Sequence, residues 1–302
     1  MTNAASLAKT DNLRGILFML AGVAMFPFLN ASVKLLGSEG YPMAQIVWMR
    51  YFGHLVFMLI VFLPGHGAAL FRTRQPAAQL ARSLLLLSAT VFYFLALGHI
   101  PLATAASISF TNPFIVTALS VPILGEVVGP RRWLAVLIGF AGALIIIRPG
   151  VEGFQPQGLF VLVSASSFAI YQVITRRIAG HDSPATTITY TAIIGALLTS
   201  FVVPFHWVTP TNMRDLLLFL GLGFFGGFGH YMVVKAYEWG EASVIAPLSY
   251  GQLIGATILG YLLFSDFPDI WTWVGAAVIV ACGIYVAYRE GRVKGPRPAP
   301  RP

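Results

Sequence analysis

Two pairs of polar side chains recur 140 residues apart in this sequence, each inside a long apolar run. Ser109 and Asn112 form the first pair, and Ser249 and Gln252 form the second. Each pair is spaced i, i+3, which predicts that both side chains share one face of a helix. Hydroxyl and amide groups donate and accept hydrogen bonds, so the pairs could bind a solute. No nucleophile with a base accompanies them, and we predict no catalytic residue.

The residues around the pairs must position them in an apolar medium. The chain has 302 residues, of which 57% are hydrophobic and 10% are charged, and its mean hydropathy is +0.78. Soluble domains carry about 25% charged residues. Apolar runs of about 20 residues, enough to cross a bilayer, predict ten membrane helices. They lie near 14–37, 44–64, 80–99, 102–125, 132–148, 157–178, 184–205, 215–237, 243–264 and 271–288.

The predicted fourth and ninth helices place both pairs near the middle of the membrane. The fourth, at 102–125, has its midpoint near Pro113, which leaves a backbone carbonyl unpaired. Polar groups at this depth must face protein or a water-filled cavity. Two interpretations stay open: a solute site, or hydrogen bonds between helices worth about 0.6–2 kcal/mol each. Glu126, at the end of the fourth helix, is interpreted as a gating or structural charge.

The distribution of lysine and arginine predicts the orientation of the chain. If the N-terminus is cytoplasmic, the inner side receives most of these residues, and the outer side receives Lys34, Arg148 and Arg214. This bias follows the positive-inside rule. We therefore expect a multi-pass protein of a bacterial-type inner (plasma) membrane with both termini cytoplasmic. Residues 1–13 and the basic, proline-rich residues 289–302 form the tails.

The two halves of the chain repeat each other. At a shift of 140 residues the polar pairs align and Glu126 aligns with Asp266, while the earlier parts align at a shift of 142 to 143. Each half, 14–150 and 151–288, holds five predicted helices. An odd number means that the second half enters the membrane from the opposite side. Such inverted repeats are typical of secondary transporters, whose solute sites lie near the midplane between the halves.

The sequence resembles the drug/metabolite transporter superfamily in its ten-helix form, which is built from two EamA-type repeats. The resemblance covers roughly residues 14–288. The motifs that carry it lie at 103–113, 124–126, 133–150 and 242–264. Phe264-Ser265-Asp266 departs from the pattern, because the family usually repeats Leu-Gly-Glu there. The resemblance implies an all-α integral membrane fold that moves small organic solutes across the inner membrane by alternating access.

Further polar and charged residues in the apolar runs are candidates for the same site. The neutral candidates for substrate binding, beyond the two pairs, are Asn30, Tyr93, Tyr171, Gln172, Tyr231 and Tyr250. The candidates for gating or structural charge, besides Glu126, are Arg50, Lys235 and Glu238. A lipid-facing arginine at the bilayer centre would cost about 2.5–3.5 kcal/mol, so Arg50 is expected to face the protein. His99 and His230 could relay a proton, since histidine titrates near neutrality.

These residues predict a transporter of a small organic metabolite, with no cofactor and no metal. The neutral, aromatic and amide-rich candidates favour a neutral, zwitterionic or ring-bearing solute. Within the superfamily, predicted helices four and five resemble members proposed to take up riboflavin or S-adenosylmethionine, and also exporters of amino acids and drugs. Uptake of a vitamin-like or nucleoside-like solute is expected, with riboflavin as the leading candidate and export as the alternative. All 11 acids lie near predicted helix ends, in loops or in tails, which argues against proton coupling through a buried carboxylate. Facilitated diffusion, exchange or weak coupling is expected.

Other functions are disfavoured by the same sequence. An integral membrane enzyme would need a nucleophile with a base or a set of metal ligands, and the sequence has no HExxH, no GxSxG and no acidic metal cluster. A channel would present a ring-forming line of charges, and a nucleic-acid partner would need a basic, aromatic-laced face. The expected partners are a small-molecule substrate and membrane lipid. Nothing in the sequence requires an oligomer or excludes a monomer.

Overall fold

A computed structural model describes residues 12–125, 128–150, 155–178, 181–240 and 242–293 of the chain. Within these ranges the protein is all-α, with twelve α-helices and three short 3-10 helices. The α-helices are α1 (Asn12–Ser38), α2 (Met43–His66), α3 (Pro76–Leu97), α4 (Leu102–Ser109), α5 (Asn112–Leu124), α6 (Pro130–Ile147), α7 (Gly158–Arg177), α8 (Pro184–Ser200), α9 (Met213–Trp239), α10 (Ala242–Ile245), α11 (Gln252–Phe264) and α12 (Ile270–Val293). The 3-10 helices are Gly67–Phe71, Val203–His206 and Ala246–Gly251.

Every predicted membrane helix is found as helical structure, with its ends shifted by a few residues. Among the described residues, nine helical segments are long and apolar enough to cross a membrane. The remaining one, α8, has 17 residues, which is at the lower end of the usual range of about 17–25. Helices satisfy their backbone groups within one segment, as a hydrocarbon environment requires. The prediction of an all-α, multi-pass membrane protein is confirmed.

The predicted fourth and ninth helices are each broken near mid-depth, which corrects the expectation of two continuous helices. The fourth is divided into α4 and α5, which begins at Asn112, and the 3-10 helix Ala246–Gly251 leads into α11 at Gln252. Proline explains both breaks, because Pro113 and Pro247 lack a backbone N–H and their rings clash with the carbonyl four residues earlier. Each polar pair therefore straddles a break and does not share one face of a continuous helix.

The two halves pack through matching contacts. α1 packs against α9 and α11, and its counterpart α7 packs in the same way against α3 and α5. α2 and α9 approach closely at Gly53, where an added Cβ would lie 2.7 Å from the Cα of Gly223. Two backbones this close leave no space for a side chain, so this crossing requires glycine. The close approach brings the α2 side chains directly against α9.

The helices run alternately between the two ends of the bundle. We call the end where α1 begins and α12 ends the terminal face, and the other end the opposite face. Most of the main apolar core lies between mid-depth and the opposite face, as shown by fully buried Leu36 near the end of α1 and Ile46 near the start of α2. Ile108 in α4 and Ile146 near the end of α6 belong to the same core. The bundle is therefore packed solid toward the opposite face.

Candidate functional site

A cavity of about 500 Å³ lies between the two halves and extends from mid-depth to the terminal face. Its walls come from α1, α5, α6, α7, α9 and α12, and both helix breaks lie at its deep end. Near the terminal face the lining includes the exposed Arg176. Six of the substrate-binding candidates line it: Ser109, Asn112, Gln172, Ser249, Tyr250 and Gln252. Both polar pairs are thus brought together in one cavity.

Two aromatic rings, one from each break, meet at the deep end of the cavity. Phe110 and Tyr250 are edge to face, with ring centroids 4.8 Å apart, and they occupy equivalent positions in the repeats. Tyr250 lies against the backbone of α12 at Gly283, where any Cβ would overlap the tyrosine hydroxyl. The two breaks and this glycine therefore allow a pair of aromatic side chains to close the cavity at mid-depth.

The two amides of the polar pairs have different surroundings. Asn112 is 8% exposed, and its Nδ2 donates a hydrogen bond of 3.4 Å to the carbonyl oxygen of Ala165 in α7. Gln252 is half-buried in the cavity wall, and its side chain makes no hydrogen bond among the described residues. The hydroxyl of Ser109 donates to the carbonyl of Ala106 in its own helix, over 2.8 Å. The first amide thus joins two helices, whereas the second presents its polar atoms to the cavity.

Several other neutral candidates lie outside the cavity lining. Asn30 is buried, and its Nδ2 donates to the hydroxyl oxygen of Tyr93 over 3.5 Å. This contact lies on the side of the opposite face, beyond the deep end of the cavity. Tyr171 faces away from the cavity, and its hydroxyl accepts a hydrogen bond of 2.7 Å from Arg82. The structure therefore places these three residues in helix–helix contacts.

The described charged candidates, Arg50 and Lys235, lie outside the lining of the cavity. The Nζ of Lys235 stands 5.8 Å from the centre of the Tyr231 ring, on a part of α9 outside the lining. Glu238 also belongs to α9, but its side chain, like the whole of Glu126, lies outside the described residues. Arg50 faces the protein interior, as expected, and is 4% exposed. Arg50 is thus the charged candidate that is buried close to the centre of the bundle.

Sequence reasoning did not identify two aromatic residues of the cavity wall. Phe26 in α1 and Phe168 in α7 line the cavity from different sides. They are 142 residues apart, the shift at which the earlier parts of the halves align, so the repeat was the signal that could have found them. Of the two histidines considered from the sequence, His230 lines the cavity, whereas His99 is exposed at the end of α3.

Ion pairs close the opposite face. The Nζ of Lys34 lies 2.5 Å from the Oδ2 of Asp266, which joins the end of α1 to the end of α11. The Nη2 of Arg148 lies 2.5 Å from the Oδ2 of Asp269, which joins the end of α6 to the start of α12. Burial raises the pKa of Asp269, but hydrogen bonds from Thr272 and the charge of Arg148 outweigh burial and hold this pKa below its ordinary value. Both ion pairs connect the first repeat to the second.

A second buried arginine, near the terminal face, serves packing. Arg82 in α3 is 1% exposed. Its guanidinium donates hydrogen bonds of 2.6–3.1 Å to Gln79, Tyr171, Thr175, Thr187 and Thr191. These partners lie on α3, α7 and α8, so Arg82 ties three helices together. The protein itself supplies the hydrogen-bond acceptors for this guanidinium, as a buried cation requires.

The structure consists of two packed halves of membrane-length helices. Each half contains one helix that is broken at mid-depth, and the cavity between the halves reaches one face. These features define a secondary membrane transporter. Comparison with known protein families agrees with this class. The chain belongs to the EamA-like transporter family, whose model matches residues 13–148 and 156–289, one match in each half. The expected membership of the drug/metabolite transporter superfamily is confirmed.

Named relatives match almost the whole chain. The sequence is 28% identical to an S-adenosylmethionine uptake transporter of Rickettsia prowazekii (strain Madrid E), over 92% of this chain and 94% of the relative. It is 27% identical to a riboflavin transporter of Vibrio cholerae serotype O1, over 93% of this chain and 95% of the relative. A solved crystal structure, 20% identical in sequence, shares the fold with a TM-score of 0.65 over 93% of this chain and 99% of that chain.

Proposed function

We propose that this protein takes up a solute that joins a flat heteroaromatic ring to a polar chain, with S-adenosylmethionine as the first candidate. The cavity is the observation that supports this choice. Phe26, Phe168 and Tyr250 offer aromatic surfaces, and Gln172 and Gln252 offer amides. Aromatic faces suit both an adenine ring and a sulfonium cation. The volume of about 500 Å³ lies within the range of about 300–1,000 Å³ that is usual for small-molecule sites.

The relatives support more than one solute and more than one direction. Those named S-adenosylmethionine uptake transporters include one of Rickettsia bellii (strain RML369-C), which is 30% identical over 82% of this chain. Riboflavin also joins a fused ring to a polar chain, so it is the competing candidate. A pseudopaline exporter of Pseudomonas aeruginosa (strain UCBPP-PA14) is 27% identical over 89% of this chain. Export is therefore the alternative that a directional assay must exclude.

The proposed mechanism is alternating access between the two repeats, 14–150 and 151–288. The lysine and arginine bias supports cytoplasmic termini, so the terminal face would look into the cytoplasm and the described state would be open inward. Uptake needs a second state, in which the opposite face is open and the terminal face is closed. Inverted repeats provide that state when the two halves exchange conformations around a fixed midplane site.

Transport into proteoliposomes tests the proposal. Labelled S-adenosylmethionine should enter with saturable kinetics, and unlabelled S-adenosylmethionine should compete better than riboflavin. Protein-free liposomes give the background, and preloaded vesicles give the rate of efflux. The reverse order of competition would make riboflavin the substrate. A flux that rises linearly with solute concentration would contradict carrier-type transport.

A further inference from the structure

A buried cluster of basic side chains lies beside the deep end of the cavity, toward the opposite face. Arg50 and His54 are one helical turn apart in α2 and are 4% and 2% exposed. The ring of His54 stacks on that of His230 in α9, with centroids 6.0 Å apart and planes 13° apart. His230 lines the cavity. The cluster therefore starts at the cavity wall and continues into the packed part of the bundle toward the opposite face.

Three polar atoms of this cluster lack partners, although the Arg50 guanidinium also hydrogen-bonds the side chain of Tyr51. In the part of the chain that the structure describes, the Nη1 of Arg50 and both ring nitrogens of His54 are buried and make no hydrogen bond. The other buried arginine, Arg82, shows the contrast, because five residues accept hydrogen bonds from it. A buried donor without an acceptor is costly, and a charged one more so. A ligand that supplies acceptors is one way to account for such groups.

No acid neutralises the cluster among the described residues. The groups whose charges act on His54 are His230 and Arg50, and the group whose charge acts on His230 is Arg50. The ion pairs of the opposite face use other cations. Ionisable groups inside a membrane protein pair with a counter-charge or mark a substrate pathway. Arg50 therefore has no counter-charge among the described residues, and an anionic group of a solute would supply one.

The packing of α2 against α9 determines where the side chains of Arg50 and His54 point. A Cβ at Gly227 would lie 3.1 Å from the Cδ2 of His54, and a Cβ at Gly226 would lie 3.9 Å from the Cγ of Arg50. The guanidinium of Arg50 also lies 4.6 Å from the centre of the Tyr51 ring. Both basic side chains thus pack against the glycine-rich surface of α9 and point between two helices, away from lipid.

We propose that Arg50, His54 and His230 form an anion site that binds the carboxylate of the transported solute. A guanidinium binds a carboxylate through two parallel hydrogen bonds, and imidazole N–H groups can add further ones. The inference rests on the proposed function, since S-adenosylmethionine carries an amino-acid carboxylate and riboflavin carries none. Arg50 lies about 10 Å along α2 from its start at the opposite face. A solute that enters from that face would meet Arg50 before it reaches the cavity.

Uptake of S-adenosylmethionine and of its decarboxylated analogue into proteoliposomes tests the site. The wild type should prefer the carboxylate-bearing solute. Arg50→Gln should raise the half-saturation constant for S-adenosylmethionine by about 10- to 100-fold and leave that for the analogue unchanged. Arg50→Lys should lie between, because lysine keeps the charge but loses the bidentate geometry. Arg72→Gln, at an exposed arginine near the terminal face, is the control and should change neither constant.

Two results would overturn the inference while leaving transport established. One is equal uptake of the two solutes by the wild type, and the other is a preference that survives Arg50→Gln. Without solute, Arg50→Gln should melt at the same temperature as the wild type or higher, since it removes an unpaired buried charge. A lower melting temperature would instead indicate a structural partner for Arg50. His54→Gln should weaken S-adenosylmethionine uptake in the same solute-specific way.

A melting assay decides the question even if S-adenosylmethionine is not transported. L-Methionine carries the same carboxylate, and methioninol replaces it with a hydroxymethyl group. Methionine should raise the melting temperature of the wild type more than methioninol does, and Arg50→Gln should lose this difference. Wild-type protein that takes up no S-adenosylmethionine would contradict the proposed function alone. Equal effects of methionine and methioninol on the wild type would contradict the anion site.

Discussion

α1 and α7 hold equivalent places in the two repeats, yet only their mid-depth parts have the same surroundings. Phe26 and Phe168, 142 residues apart, both line the cavity. One turn further along, Asn30 is buried against Tyr93 in the packed part of the bundle toward the opposite face, whereas its counterpart Gln172 lines the cavity. The two helices match in sequence position but not in environment.

The next turn repeats the contrast at the two faces. Lys34 is paired with Asp266 at the opposite face, while Arg176, the residue 142 positions later, is exposed where the cavity reaches the terminal face. A chain with two similar halves has therefore adopted an arrangement in which the halves differ. Equivalent positions of the two repeats therefore occupy two environments, one closed and one open. Exchange of those environments is what alternating access requires.

The largest effect on this asymmetry is expected from reversing the charge of Lys34. Lys34→Glu places a second carboxylate beside Asp266, and like charges at this distance repel. The opposite face should then open. We expect a cysteine introduced as Gln252→Cys, in a Cys282→Ser background, to react with an impermeant maleimide added at the opposite face. Solute flux should fall by about tenfold, the ratio that a loss of about 1.4 kcal/mol produces.

The same labelled protein provides its own controls. With Lys34 intact, the introduced cysteine should react from the terminal face and stay protected from the opposite face. The charge-swapped protein, Lys34→Asp with Asp266→Lys, should recover both this protection and much of the flux. Protection that persists in Lys34→Glu would show that the pair does not keep the opposite face closed.

A smaller and more selective effect is expected at the two equivalent amides. Gln252→Ala should raise the half-saturation constant for solute about three- to twelvefold, the effect of one hydrogen bond of about 0.5–1.5 kcal/mol, and should leave the melting temperature unchanged. Asn112→Ala should instead lower the melting temperature, because it removes the hydrogen bond to the carbonyl of Ala165. Flux curves and melting curves of both variants measure the difference. Equal shifts of the half-saturation constant in the two variants would support the symmetric site expected from the sequence and contradict the difference between the two amides.

The contrast between Asn112 and Gln252 also shows what the sequence could predict. Apolar runs predicted the membrane helices, because length and hydropathy are local properties of the sequence. The 140-residue shift indicated that the two amides are equivalent. The prolines beside them were visible, but the breaks they cause were not distinguished from kinks in continuous helices. The hydrogen bond from Asn112 to Ala165 depends on how α5 packs against α7, which no local pattern contains.

The same limit applies to the charged residues. The sequence indicated that Arg50 faces the protein but not which side chains surround it. His54 was one turn away on the same helix, yet its contact with His230 joins α2 to α9 through the Gly53–Gly223 crossing. Lys34 and Asp266 are likewise far apart in sequence and meet only because α1 packs against α11. Contacts between distant helices are a property of the assembled bundle.

Acid should weaken the closure of the opposite face at Asp269 by a modest amount. Its pKa in the folded protein lies below the ordinary value of 3.8, so the ionised carboxylate stabilises the folded protein above that value. This stabilisation is lost as the pH falls through the folded-state pKa. Between about pH 7 and about pH 5 the wild type should melt at a constant margin above Asp269→Asn. The margin should shrink only below pH 3.8, and shrinkage near neutrality would contradict this role for Asp269.

The smallest effect is expected at the exposed ion pair of the same face. The Nη1 of Arg214 lies 3.0 Å from the Oε1 of Glu39, and the two side chains are 57% and 46% exposed. Exposed pairs contribute about 0–1 kcal/mol because water and salt screen them. Glu39→Gln should therefore leave the melting temperature, the maleimide labelling and the flux near wild-type values. It is the matched control for Lys34→Glu, since both substitutions break an ion pair at one face and differ in burial. If Glu39→Gln also exposed the cavity to the opposite face, closure would depend on the ion pairs of that face in general and not on the partly buried contact between Lys34 and Asp266 in particular.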